Sequence, residues 1–229
     1  MVEVEVPVPA LPSLSMDLRL YVEQTLLRPE ATGAEVRAHC EEALRLGFVG
    51  VCVVPARVPV AASVLRGRPV AIVTTAGFPH GTSTPDVKAF EAERAYGSGA
   101  TDVDFVMNPG AAKDGDWDAV LREFTTLRGA VPEAVLKVII ETGHLTEDEV
   151  RRAAACAVEA GLDFVKTSTG YGPRGATPED VRLLRSAVGE RCRVKASGGI
   201  RTRAQALALV AAGADRLGTS RGPDLLREE

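Results

Sequence analysis

One pattern repeats along the chain: a short run rich in β-branched residues, a few small or polar residues, then an Ala-, Leu-, Glu- and Arg-rich stretch with helical spacing. The runs fall at Leu20–Leu27, Phe48–Val54, Val70–Thr75, Asp102–Asn108, Val135–Glu141, Phe164–Ser168, Arg193–Ser197 and Asp215–Gly218. Helical stretches lie near 34–46, 85–98, 116–128, 146–160, 177–188 and 202–212. Strands that alternate with helices pair in parallel, because each crossover returns the chain to the same edge. Eight such strands within roughly 200 residues predict a single closed (βα)8 TIM barrel. A doubly wound open sheet is the alternative, but no GxGxxG follows the first strand.

Boundary residues agree with that division. Thr84-Pro85 and Thr177-Pro178 place Pro at a first helical position, and Thr146 with Glu149 forms a capping-box pattern. Gly47, Gly99, Gly161 and Gly213 follow four of the helices, where a left-handed cap favours glycine. Pro59 is expected to interrupt the short helix between the second and third strands. No linker divides the chain, so residues 16–229 are read as one barrel domain and residues 1–15 as an N-terminal extension.

Composition narrows the possible roles. The formal net charge is −4, and no apolar run approaches the 18 or so residues of a spanning helix, so neither nucleic acid nor membrane is an expected partner. Cys40, Cys52, Cys156 and Cys192 are scattered without paired metal-ligand spacing and read as small core residues in a reduced, cytoplasmic setting. His39, His80 and His144 share no ligand spacing either, so surface or loop roles are expected and no metal.

Lysine carries the sharper signal. Lys88, Lys113, Lys137, Lys166 and Lys195 are the only five, and Arg supplies every other cation. Arg cannot deprotonate in a protein, whereas a desolvated Lys becomes a nucleophile. Lys137, Lys166 and Lys195 lie inside strand runs, 29 residues apart each time, and are expected at similar heights on three successive strands. If Val165 and Thr167 face the helices, Lys166 and Ser168 face the barrel interior. Clustered cations in a low dielectric favour one neutral amine, which suits Schiff-base chemistry on a carbonyl. The alternative is that these lysines pair with Asp102, Asp104 or Glu141; repetition at one spacing favours the amine site.

Asp102 and Asp104 share a strand face, Asp104 deeper and Asp102 at the start of the strand. Beside lysines, Asp104 can stay ionised and relay protons, or it can simply balance charge. Ser197-Gly198-Gly199 and Gly218-Thr219-Ser220 follow the last two strands, where barrels hold phosphate on backbone N–H groups, and Gly170 adds a third turn. An anionic small metabolite follows.

Leu136-Lys-Val-Ile-Ile-Glu-Thr-Gly143, Phe164-Val-Lys-Thr-Ser-Thr-Gly170 and Val194-Lys-Ala-Ser-Gly-Gly-Ile-Arg201 resemble the motifs of the deoxyribose-phosphate aldolase family, class I aldolases. The resemblance runs from about Leu20 to Gly222 and includes Thr25-Leu-Leu-Arg-Pro-Glu-Ala-Thr32, Gly77-Phe-Pro-His-Gly81 and Val87-Lys-Ala-Phe-Glu-Ala-Glu93. It implies reversible cleavage of 2-deoxy-D-ribose 5-phosphate to D-glyceraldehyde 3-phosphate and acetaldehyde, with no metal or organic cofactor. It implies Lys166 as the Schiff-base lysine, Lys195 as the second lysine and Asp104 as the proton-shuttling aspartate. Gly170, Gly198, Gly199 and Ser220 match positions around the substrate phosphate. Departures are Glu23-Gln24, where the family usually reads Asp-His, Val54 in place of a polar residue, and Arg221 beside Ser220. Loss of that His weakens the case for contacts from the first strand. Arg221 either strengthens phosphate binding or points to solvent. Small phosphorylated sugars and aldehydes are the expected partners, together with self-association through exposed helical faces.

Overall fold

The computed structural model describes residues 16–227; the N-terminal extension expected at 1–15 lies outside the described residues. Eight strands close in sequence order into a parallel barrel: β1 (Val22–Leu26), β2 (Gly50–Val53), β3 (Ala71–Ala76), β4 (Asp102–Val106), β5 (Val135–Ile139), β6 (Phe164–Lys166), β7 (Arg193–Ser197) and β8 (Arg216–Thr219). Around them lie α1 (Gly33–Leu46), α2 (Val58–Leu65), α3 (Pro85–Gly97), α4 (Pro109–Lys113), α5 (Trp117–Ala130), α6 (Glu147–Glu159), α7 (Pro178–Val188) and α8 (Arg203–Ala211).

Local chemistry explains the boundaries. Thr32, Thr146, Thr177 and Thr202 each close a capping box with the residue three positions on, satisfying N–H groups that the first turn leaves free. Gly47 ends α1 in the left-handed conformation. Pro59 starts α2 rather than interrupting it, because its missing N–H falls in the first turn, where no intrahelical acceptor is waiting. The short α4 escaped the periodicity, since five residues are too few to show one; its signal is Asn108-Pro109, with the Asn108 side chain accepting from Gly110 N and Ala111 N.

Alternation along each strand divides the molecule into two interiors. Val103, Phe105, Leu136, Val138, Val165, Val194, Ala196 and Leu217 point outward into an apolar layer shared with the helices, where Phe105 meets Phe124 edge-on at 5.5 Å. Inward positions carry Glu23, Asp102, Asp104, Lys137, Lys166 and Lys195, all buried. Phe164 fills the base of the barrel, with the Arg193 guanidinium 4.0 Å from its ring centroid.

A second buried charge cluster lies outside the barrel. Lys88 on α3 is fully buried, and its Nζ donates to Glu123 Oε1 (2.5 Å), Gly81 O (2.6 Å) and Val106 O (2.8 Å). Glu123 in turn accepts from Asn108 N at 3.1 Å. All three ammonium donors are satisfied, so the pair ties the β3–α3 loop and the end of β4 to α5. Gly81 is required there: at φ 71° a Cβ would lie 2.1 Å from Met107 O. Replacing Lys88 by Met leaves the Glu123 carboxylate and two carbonyls buried without that donor. Urea unfolding is expected to show a loss of about 3 kcal/mol, the scale for removing one partner of a buried ion pair; an unchanged midpoint would refute the clamp.

Candidate active site

The barrel interior is built around Asp104. Its side chain is fully buried, and its Oδ2 accepts from both Lys166 Nζ (2.8 Å) and Lys195 Nζ (2.7 Å). Lys137 Nζ lies 3.2 Å from Oδ1. Strand register sets this up: Lys166 pairs directly with Lys195, and Asp104 with Lys137. Lys137 is therefore not level with the other two lysines, as its spacing suggested. Its register partner on β6 is Phe164, two residues before Lys166, because barrel stagger and loop length, not chain spacing, fix height.

Charge pairing separates the three amines. Lys137 is held by Asp102 (2.7 Å), Asp104 and Glu23 (3.5 Å); burial disfavours its ammonium, but these carboxylates raise its pKa well above the usual lysine range. For Lys137 the carboxylate-pairing alternative is thus the one realised. Lys195 is also kept protonated: burial works against its charge, and Asp104 and Glu23 outweigh burial. Lys166 shifts the other way. Desolvation pulls its pKa down, Asp104 opposes, and the neighbouring Lys195 charge adds to the fall. Asp104 stays ionised, since three ammonium groups overcome the burial that would raise it.

Lys166 ends β6 at the floor of a cavity of about 690 Å³ at the C-terminal ends of the strands, which Lys137 and Lys195 do not line. Gly170, Gly198, Gly199, Ser220 and Thr169 also line it, so the residues expected around a phosphate do share one space with the amine. Gly170, Gly198 and Gly199 have φ of 89°, 89° and 76°. The N–H groups of Gly170, Gly199 and Ser220 meet no backbone acceptor among the described residues. These turns can present donors to an anion. Arg201 and Arg221 stand at the rim, Arg221 exposed and 3.4 Å from Asp224. Phe78 and Tyr171 meet edge-on at 5.5 Å.

Three placements go beyond what residue order implied. Glu23 on β1 bonds Lys195 Nζ closely and reaches Lys137, so the first strand does contribute to the site. The signal in the sequence is that Glu23 keeps a carboxylate at an alternate position of the strand, the parity shared with Thr25. His39 is half-buried in α1 beside the cavity, where desolvation lowers its pKa, rather than at a free surface. Glu141 pairs with Thr169 and not with a lysine, because the chain turns sharply after β5.

The profile of the DeoC/LacD family aldolases matches residues 15–225. The deoxyribose-phosphate aldolase of Deinococcus radiodurans is 48% identical over 211 residues, covering 92% of this chain and 96% of its own. One from Thermus thermophilus is 49% identical over 214 residues, covering 93% and 97%. Among solved structures, the aldolase QR15 superposes with a TM-score of 0.88 at 40% identity, covering 92% and 94% of the two chains. The Aeropyrum pernix deoxyribose phosphate aldolase, described as a unique tetramer, gives 0.85 at 33% identity, covering 91% and 89%.

The electrostatics make Glu23 the support of the Lys195 charge. Glu23→Gln is expected to lower the pKa of Lys195, read from the lysine ε-carbon shifts of labelled protein through a pH titration. A Lys195 titration unmoved by the substitution would assign its charge to Asp104 alone.

Proposed function

The chain belongs to the DeoC/LacD family of aldolases, and from that premise we propose that it is a class I deoxyribose-phosphate aldolase in which Lys166 is the Schiff-base lysine. It cleaves 2-deoxy-D-ribose 5-phosphate reversibly to D-glyceraldehyde 3-phosphate and acetaldehyde. The observation that carries the assignment of residues is that Lys166 alone of the three interior lysines reaches the cavity, and that its pKa falls while that of Lys195 rises.

The chemistry follows from that difference. Neutral Lys166 Nζ adds to C1 of the open-chain sugar, and loss of water gives an iminium. The iminium is an electron sink for the C2–C3 bond. As the C3 hydroxyl gives up its proton, that bond breaks, its electron pair forms an enamine on C1 and C2, and the phosphorylated aldehyde leaves. Protonation at C2 and hydrolysis return acetaldehyde and free Lys166. Asp104, which already touches both lysines, and Lys195, which stays charged, pass the protons through water in the cavity. The phosphate end rests on the N–H groups of Gly170, Gly198, Gly199 and Ser220, with the rim arginines adding positive potential. Self-association and a cytoplasmic location complete the proposal; among the described residues no helix is long and apolar enough to cross a membrane.

Two measurements test this reading. Acetaldehyde followed by borohydride is expected to leave one ethyl group on Lys166, located by peptide mass, and Lys166→Arg to leave none while keeping the fold. An unmodified wild-type protein would remove the covalent mechanism. Lys195→Leu takes away a charge that depresses Lys166, so the Lys166 pKa rises and the acid limb of the activity profile moves to higher pH. A profile that stays in place would separate Lys195 from the tuning of Lys166.

A further inference from the structure

Glu141 is buried, lies two residues past the end of β5, and takes φ 51°, the one non-glycine residue with positive φ among the described residues. That conformation is sparsely populated by L residues and persists only where the surroundings fix it. Here they do. Thr142 N donates to Thr167 O and His144 N to Glu141 O, both at 2.9 Å, so the chain turns sharply and sends the Glu141 side chain beneath the β6–α7 loop.

The loop is folded onto that carboxylate. Glu141 Oε2 accepts from the Thr169 N–H at 3.0 Å and from the Thr169 hydroxyl. Thr169 Oγ1 in turn accepts from Tyr171 N at 3.0 Å, closing a turn around Gly170. Gly172 packs directly on the carboxyl group: a Cβ there would lie 2.5 Å from Glu141 Cδ. Thr169, Gly170 and Tyr171 face the large cavity. Glu141 stands behind them, bordering a separate space of about 70 Å³ beside His80 and His144. It is ion-paired with no Lys or Arg among the described residues, so the hydrogen bonds to Thr169 account for its place. It never touches the cavity that holds Lys166.

We propose that Glu141 is a positioning residue: by bonding Thr169 it fixes the direction of the Gly170 N–H and so sets how tightly the phosphate end of the substrate is held. The proposal rests on the aldolase reading above, and it divides the reaction into two halves. The carbonyl half meets Lys166, Asp104 and Lys195, which Glu141 does not contact. The phosphate half meets the loop that Glu141 holds.

Kinetics with 2-deoxyribose 5-phosphate and with unphosphorylated 2-deoxyribose separate the halves. For Glu141→Ala, KM for the phosphorylated sugar is expected to rise about tenfold or more, while turnover of the free sugar stays within about twofold, the pattern of lost binding at a site remote from the reacting bond. Glu141→Gln keeps an oxygen that can accept from both Thr169 donors and is expected to restore KM to within about threefold. Thr169→Val, which preserves shape but removes the bridging hydroxyl, is expected to raise KM for the phosphorylated sugar if the alanine variant does not fold. Equal losses on both sugars, or an unchanged KM for the phosphorylated one, overturn the proposal. Borohydride trapping of acetaldehyde on Lys166 is read in parallel: its absence in the wild type refutes the Schiff-base reading instead, and its persistence in Glu141→Ala beside a raised KM supports the division.

Discussion

Three lysine amines share one carboxylate, that of Asp104, and all four side chains are buried. Charges taken out of water cost several kcal/mol each unless their partners are close and well placed. The interior meets that condition by matching numbers: Glu23, Asp102 and Asp104 stand opposite Lys137, Lys166 and Lys195. Its allocation is uneven, and the chemistry follows from the unevenness. Lys137 takes contacts from all three carboxylates and Lys195 from two, whereas Lys166 has Asp104 alone, on an oxygen that Lys195 also holds. The least compensated amine is therefore the one at the edge of the cavity, and it is the one that can lose its proton.

Much of this arrangement could be read from residue order. Strand and helix alternation, the Thr-Pro and Thr-x-x-Glu starts and the terminal glycines located nearly every element, because each is a local signal with a local cause. Lys166, Lys195 and Asp104 stood out as charged residues inside β-branched runs. Quantities that depend on pairing between distant strands were not available. The depth of Lys137 needed the register of β5 against β6, and equal chain spacing was no substitute for it. Glu23 reaches Lys195 only because β1 closes against β8, a contact between the two ends of the sheet. Residue order offers Glu141 only as one possible partner for a lysine, because nothing in its neighbours announces a positive φ.

The loops above the strands are fixed by buried polar groups rather than by apolar packing. Lys88 and Glu123 secure the β3–α3 loop that carries Phe78, and Glu141 secures the β6–α7 loop that carries Tyr171. The two aromatic rings meet edge-on, so the two anchored loops touch each other where Tyr171 lines the cavity. Such anchors are directional in a way that apolar contacts are not. Loops held this way keep a defined shape while remaining free to be lined with glycine.

Phe164, wedged beneath the lysines and covered by Arg193, gives the barrel a stopper at one end. The cavity at the C-terminal ends of the strands, where Lys166 stands, is the opening the sugar would use. The protons moving among Asp104, Lys195 and the bound intermediate are handled beside buried side chains at the floor of that opening. The proton given up by the C3 hydroxyl is held among these groups and their water until C2 needs one, and the order of departure, large fragment first, decides when the chamber reopens.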